Sequence, residues 1–240
     1  MDNIPPYTVT EPFPGIYAVD EGGVCSFLIP GKTDALLIDS GFGRGNLLEQ
    51  VRVLTKLPVT LLHTHTDGDH TGCDAQFDKI LIHPAEYDYY AQKLTASECN
   101  ANAVLARVLP IWEGTELVYG DYRFKVLLIP GHTPGSIALL DKAHRLLIGG
   151  DSVQAGAVFM FGPGRNMSAY LASMRRLDAM RDRFDTVLAS HAQLCVDAQI
   201  LPDLIEGAQA YLDGKLTGVE PGRALPCLLY THKRAKFLCR

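Results

Sequence analysis

The feature that most constrains this chain is a pattern met four times: an apolar run of strand length that ends in a loop of glycine, histidine and aspartate. Val59-Thr60-Leu61-Leu62 runs into the segment His63 to Gly72, and Arg123 to Ile129 runs into Pro130-Gly131-His132-Thr133-Pro134-Gly135-Ser136. Arg145 to Ile148 leads to Gly149-Gly150-Asp151-Ser152, and Thr186 to Ala189 leads to Ser190-His191-Ala192. Short apolar runs bounded by turn residues read as buried strands, and loops at strand ends are where α/β folds keep their chemistry.

Further strands are expected over 15–19, 24–29, 35–39, 80–82, 116–119 and 136–140. Helical spacing of apolar residues is expected over 46–56, from Pro84 on, and over 168–183 and 197–213. Residues 97 to 113 read as helical with a break at Pro110. Strands and helices thus alternate, and 240 residues with 47% hydrophobic content suit one domain spanning 1–240.

A formal net charge of -5 argues against a nucleic-acid partner, because the basic surplus that neutralises phosphates is missing. The basic cluster from His232 to Lys236, with Arg240, reads as a solvated edge. The opening Met1 to Pro6 has neither a basic nor an apolar signal region, and no apolar run has membrane-spanning length, so a cytoplasmic protein without a membrane partner is expected. Six cysteines (25, 73, 99, 195, 227 and 239) form no C-x-x-C pair and read as reduced, mostly buried thiols.

A metal that activates water needs neutral imidazole and ionised carboxylate ligands, with one coordination position open. The four loops offer such groups, and His65, His70, His132 and His191 are four of only eight histidines. A single histidine at a strand end is more often structural than a ligand. Their joint occurrence with His-x-Asp-x-Asp-His-x-Gly, Pro-Gly-His-Thr-Pro-Gly and Gly-Gly-Asp points to a metal site.

With those motifs, the chain resembles the metallo-β-lactamase-fold superfamily from about Ile16 to Gly214. The hallmark of that superfamily is His-x-His-x-Asp-His followed by a separate His, a bridging Asp and a final His. The resemblance implies a four-layer αβ/βα sandwich of two mixed β-sheets flanked by helices. It places one divalent metal on His65, Asp67 and His132, and a second on Asp69, His70 and His191, with Asp151 bridging. Asp69 and Asp151 would be the catalytic carboxylates.

The chain departs from the hallmark at Asp67, where the family has a histidine. A competing register, His63-x-His65-x-Asp67, puts Gly68 in place of a ligand, so His63 is assigned a supporting role. Asp67 makes the site harder and more negative by one charge. Zinc is expected, and iron or manganese gains ground.

The resemblance therefore implies a binuclear metal-dependent hydrolase acting on a small-molecule ester, thioester, lactone, amide or phosphoester. One alternative is a di-iron, oxygen-reacting protein like the flavodiiron metallo-domain; another is a metal-binding sensor without turnover. Phe159, Phe161 and Arg165, with Met160, lie in the glycine-rich stretch after Asp151 and are candidates for a pocket wall. Tyr87, Tyr89, Tyr90 and Trp112 read as packing residues first.

Overall fold

A computed structural model describes residues 7–96, 100–222 and 225–240. The contacts of the chain gather into two compact units that meet at Arg123 and Phe124. The opening Met1 to Pro6 and Cys99 fall outside the described residues.

The first unit carries β1 (Thr8–Phe13), β2 (Ile16–Asp20), β3 (Cys25–Pro30), β4 (Ala35–Ile38), helix α1 (Leu47–Leu54), β5 (Val59–Leu62), β6 (Ile80–Ile82), α2 (Tyr87–Thr95), α3 (Ala101–Leu105), β7 (Val108–Pro110) and β8 (Glu116–Tyr119). Strands β1 to β7 lie in sequence order in a mixed sheet, antiparallel from β1 to β4 and parallel from β4 to β7. Asn46 and Asn100 cap α1 and α3 by accepting from the amides of Glu49 and Ala103. Leu47 and Val51 of α1 and Tyr90 and Leu94 of α2 share one apolar cluster with Leu37, Leu61 and Ile80 of the sheet. Full burial of such side chains stabilises by roughly 1.5–3 kcal/mol each.

Residues 97 to 113 differ from expectation. Described residues there form the short α3 and then β7, a parallel neighbour of β6 that ends at Pro110. Pro110 is tolerated because β7 is the last strand of its sheet, where a missing amide costs no ladder bond.

The second unit follows from β9 (Tyr122–Leu128), which contains the junction, through β10 (Ile137–Asp141), β11 (Leu146–Gly150), β12 (Ala157–Phe159), α4 (Met167–Asp178), β13 (Thr186–Ala189), β14 (Cys195–Asp197), α5 (Leu201–Leu212), β15 (Leu228–His232) and β16 (Ala235–Cys239). The main sheet runs β14-β13-β11-β10-β9-β8, with β11 and β13 parallel and β13–β14, β10–β11 and β9–β10 antiparallel. Strands β12, β16 and β15 form a small third sheet. Tyr170, Leu171, Met174 and Leu177 of α4 and Leu201, Leu204 and Ala208 of α5 pack into one core with β9, β10, β11, β13 and β16. Both sheets are therefore mixed and carry helices, as expected of the α/β class.

The basic cluster near the C-terminus is paired. Lys233 bonds Glu206 at 2.6 Å and Arg234 bonds Asp203, so the β15–β16 turn is fastened to α5. Cys73, Cys227 and Cys239 are buried and Cys25 and Cys195 half-buried, all as thiols. Among the described residues no helix is long and apolar enough to cross a membrane.

Candidate metal centre

In the first unit, β4 and β5 are parallel with Ile38 beside Leu62, so Asp39 and His63 leave the sheet as neighbours. Asp39 adopts a left-handed φ of 62°, a conformation aspartate tolerates better than most residues. Its buried carboxylate accepts from the Thr64 amide and hydroxyl at 2.8 Å each and from His70 Nδ1 at 2.9 Å. Burial opposes its ionisation, but the adjoining His70 and His63 outweigh this and hold the carboxyl well below the usual range.

This network fixes which nitrogen of each imidazole carries the proton. His70 spends its Nδ1 proton on Asp39, so Nε2 presents a lone pair. The Thr64 hydroxyl gives its proton to Asp39 and therefore accepts from His65 Nδ1, 3.0 Å away, which leaves the lone pair of His65 on Nε2 as well. The two rings lie 4.1 Å apart. His65 Nε2 stands 3.6 Å from Asp67 Oδ2, and His70 Nε2 stands 3.9 Å from Asp69 Oδ1.

His63 is engaged differently. Its Nε2 faces both oxygens of Asp74 at 3.0 and 3.1 Å, and its Nδ1 lies 3.5 Å from Asp39. Burial would favour the neutral ring, yet Asp74 and Asp39 together raise its pKa to about 9. An imidazolium between two carboxylates has no lone pair to offer a metal. Asp74 is held in turn by the hydroxyls of Ser40, at 2.6 Å, and Tyr90.

The loop from His65 to Gly72 is clamped at both ends. Glu86 accepts from the Thr66 amide and hydroxyl at 3.0 and 2.8 Å. Lys93 donates to the Thr66 carbonyl and, at 3.2 Å, to the Thr71 hydroxyl. The amides of Ser40 and Gly72 bond the carbonyls of His70 and Gly41 at 2.7 and 2.8 Å. A Cβ on Gly72 would come within 2.2 Å of the Phe42 backbone, which explains the glycine that closes the motif.

In the second unit, β11 and β13 are parallel with Gly150 beside Ala189, so Asp151 and His191 emerge from adjacent strand ends. Asp151 Oδ1 lies 3.3 Å from His191 Nε2 and Oδ2 lies 3.8 Å from His132 Nε2, so the carboxylate turns one oxygen to each ring. His132 gives its Nδ1 proton to the Phe159 carbonyl at 2.8 Å and so also presents Nε2. The loop around it is tied by Ser136 Oγ, which accepts from the Thr133 amide at 3.0 Å. The Tyr170 hydroxyl bonds the Ser152 carbonyl at 2.9 Å and steadies the turn that carries Asp151.

The donor set fits a metal. Two ligands of a tetrahedral zinc with bonds of about 2.0–2.1 Å have donor atoms separated by about 3.4 Å. The four imidazole–carboxylate pairs, at 3.3 to 3.9 Å, lie near that spacing and beyond the usual 2.7–3.2 Å of a hydrogen bond. Each histidine whose tautomer is fixed offers its Nε2 to the same side as its carboxylate partner, and each is oriented by a second bond, as metal-binding imidazoles require. His65, His70 and His132 are buried, while Asp69 and His191 keep 30% and 21% of their side chains open to solvent.

The pocket candidates divide. Phe161 and Arg165, with Met160, Gly162, Pro163, Tyr211 and Arg240, line a cavity of about 490 Å³ within the second unit. Phe159 does not line it; its ring packs 5.5 Å from that of Phe161. Sequence reasoning placed no strand in the glycine-rich stretch after Asp151, whereas 157–159 form β12 beside β16. It also missed Asp39, Asp74 and Glu86. The first could have been found as the acidic end of a fully apolar strand, Ala35 to Ile38.

Comparison with known proteins gives the family. The profile of the Metallo-beta-lactamase superfamily matches residues 19–191. The chain is 29% identical over 198 residues to "Acyl-coenzyme A thioesterase MBLAC2" of Gallus gallus, covering 69% of this chain and 71% of that protein. It is 26% identical over 144 residues to "Hydroxyacylglutathione hydrolase GloC" of Haemophilus influenzae, covering 56% and 68%. Among solved structures, TTHA1623 in a di-iron-bound form superimposes with a TM-score of 0.60 at 25% identity, over 74% of this chain and 91% of that one. The profile begins in β2 and ends on His191, and so takes in every candidate ligand; the chain belongs to the metallo-β-lactamase superfamily.

Proposed function

We propose that the protein is a binuclear metal-dependent hydrolase of thioesters, in which both units act as one domain. The observation that carries this reading is the fixed tautomer of His65, His70 and His132, each with Nε2 beside a carboxylate at ligand spacing. His65, Asp67 and His132 would hold one ion, and Asp69, His70 and His191 the other, with Asp151 turned to both. Bound there, two divalent ions would supply a water acidified toward neutral pH and a Lewis-acidic pull on a carbonyl oxygen.

The remaining chemistry belongs to the chain. Asp69, the more open carboxylate, would orient the attacking water and take up its proton. A thiolate leaving group has a pKa of about 8.5 and needs little help to depart, so one carboxylate suffices where an amide would demand a stronger acid. The choice of thioesters among the esters and amides that such a centre can cleave follows the names of the two relatives, an acyl-coenzyme A thioesterase and a hydroxyacylglutathione hydrolase. Phe161 and Arg165 would form part of the substrate wall. Zinc fits the imidazole content, and the extra carboxylate of Asp67 also suits iron.

Metal analysis of the purified protein, paired with a panel of thioester, oxygen ester, lactone, lactam and phosphodiester substrates, tests the reading. Two metals per chain and preferred turnover of a thioester are expected. Predominant iron with oxygen consumption and no hydrolysis would overturn it.

A further inference from the structure

The residues after Ser40 alternate glycine with two exposed side chains, Gly41-Phe42-Gly43-Arg44-Gly45, and lead from β4 toward α1. Glu21, in the turn between β2 and β3, holds this loop from one side: its carboxylate accepts from the amides of Phe42, Gly43 and Arg44. Consecutive amides around one carboxylate form a nest that fixes the backbone. On another side the loop rests on the end of the candidate ligand motif. The Gly72 amide bonds the Gly41 carbonyl at 2.8 Å, and a Cβ on Gly43 would come within 2.6 Å of the Gly72 carbonyl oxygen. Gly41 and Gly43 have φ of 69° and 84°, a left-handed backbone that glycine adopts without strain.

A loop fastened in this way presents two side chains. Phe42 is 37% exposed, and the Arg44 guanidinium lies over its ring, 4.2 Å from the centroid. Stacking occupies the face of the guanidinium and leaves its fork of N–H donors in the plane, the arrangement that grips a carboxylate or phosphate through two parallel hydrogen bonds. Among the described residues no ion pair engages this guanidinium, and the Glu21 carboxylate is taken up by backbone amides instead. Resting on the thioester reading above, we propose that Arg44, backed by Phe42, is a specificity-determining residue that binds an anionic group on the thiol half of the substrate. Thiols that carry acyl groups bear such anions: coenzyme A has phosphates and glutathione has carboxylates, and a guanidinium fork suits both. Phe42 and Gly43 abut Gly72, two residues beyond His70, so a carrier held by Arg44 is anchored beside the candidate ligand loop of the same unit. An arginine already stacked and mounted on fixed backbone loses less freedom on binding than a mobile one.

The experiment measures kcat and KM for the acetyl thioesters of three thiols, coenzyme A, glutathione and the uncharged N-acetylcysteamine, with the natural chain, Arg44→Met and Arg44→Lys. In the natural chain at least one charged thioester should have a higher kcat/KM than the uncharged one. Its KM should rise with added salt, which screens an exposed guanidinium. Arg44→Met should lower kcat/KM for that thioester, relative to the uncharged one, by about tenfold. The loss should fall on KM rather than kcat and remove the salt effect, and Arg44→Lys should restore part of the discrimination. Response of the coenzyme A arm would assign phosphate as the group bound, and response of the glutathione arm would assign carboxylate. A natural chain that favours the uncharged thioester, a KM indifferent to salt, or an equal effect of Arg44→Met on all three substrates would overturn the role of Arg44 and leave the thioester reading in place. No turnover of any thioester by the metal-loaded protein would overturn that reading and this inference together.

Discussion

At the residue scale, the run His63-Thr64-His65-Thr66-Asp67 offers two ways of reading a metal motif, and the hydrogen bonds of its histidines differ in a way that favours one of them. His63 is enclosed by Asp39 and Asp74, whose carboxylates favour its protonated ring, while His65 and His70 have Nε2 available. Asp67→Ala should therefore lower the metal content toward one ion per chain. His63→Gln, which keeps donors for its carboxylate neighbours, should leave two ions and cost about 1–3 kcal/mol of stability from the altered buried network. Metal content by elemental analysis and urea unfolding check this. Two ions retained by Asp67→Ala with loss in His63→Gln would mean that the competing register is the real one. The candidate ligands were legible because they fall together in short motifs at strand ends. The groups that orient them were not, since Asp39, Asp74 and Glu86 are ordinary acidic residues in sequence and become partners only when parallel strands bring their ends side by side.

At the element scale, strands with long apolar runs were legible, and those whose burial comes from neighbours were not. Thr8–Phe13 is a largely open strand with polar alternation, and Ala157–Phe159 is three residues between glycines; both exist because a partner strand pairs with them. Loops show the same dependence. Gly131 sits at a φ of 141°, and a Cβ there would approach the Tyr170 backbone to 2.3 Å, so the N-terminal turn of α4 packs directly on the loop that carries His132. The same helix supplies the Tyr170 and Ser173 hydroxyls that bond Ser152 and Pro130, at 2.9 and 2.7 Å. Gly131→Ala must shift that helix or strain the loop, and should cost about 1–3 kcal/mol or more in unfolding free energy. It should also lower metal affinity through His132, which Gly207→Ala, a tight site on α5 with contacts to side chains only, should not. Urea unfolding with chelator competition on both variants distinguishes a local effect on the His132 loop from general loss of packing.

At the scale of the whole molecule, the family profile runs from β2 to His191 and so takes in residues of both compact units; of the candidate ligands, His65, Asp67, Asp69 and His70 lie in the first and His132, Asp151 and His191 in the second. If the units act as one domain through shared ions, metal binding and folding are linked across the chain. A ligand at 100 times its dissociation constant stabilises the native state by about 2.7 kcal/mol, so zinc should raise the unfolding temperature by several degrees and a chelator should reverse it. The sharper expectation concerns pairs. In the proposed ligand set His70 and His191 would serve one ion, so His70→Ala or His191→Ala alone should remove its increment of stabilisation, and the double variant should lose little more. Strong non-additivity marks residues that touch, share a partner or are coupled through one network. Differential scanning of the two single variants and the double variant, with and without zinc, measures the coupling. Increments that add independently would mean that each unit binds its own metal, and the proposal of one shared binuclear centre would fall.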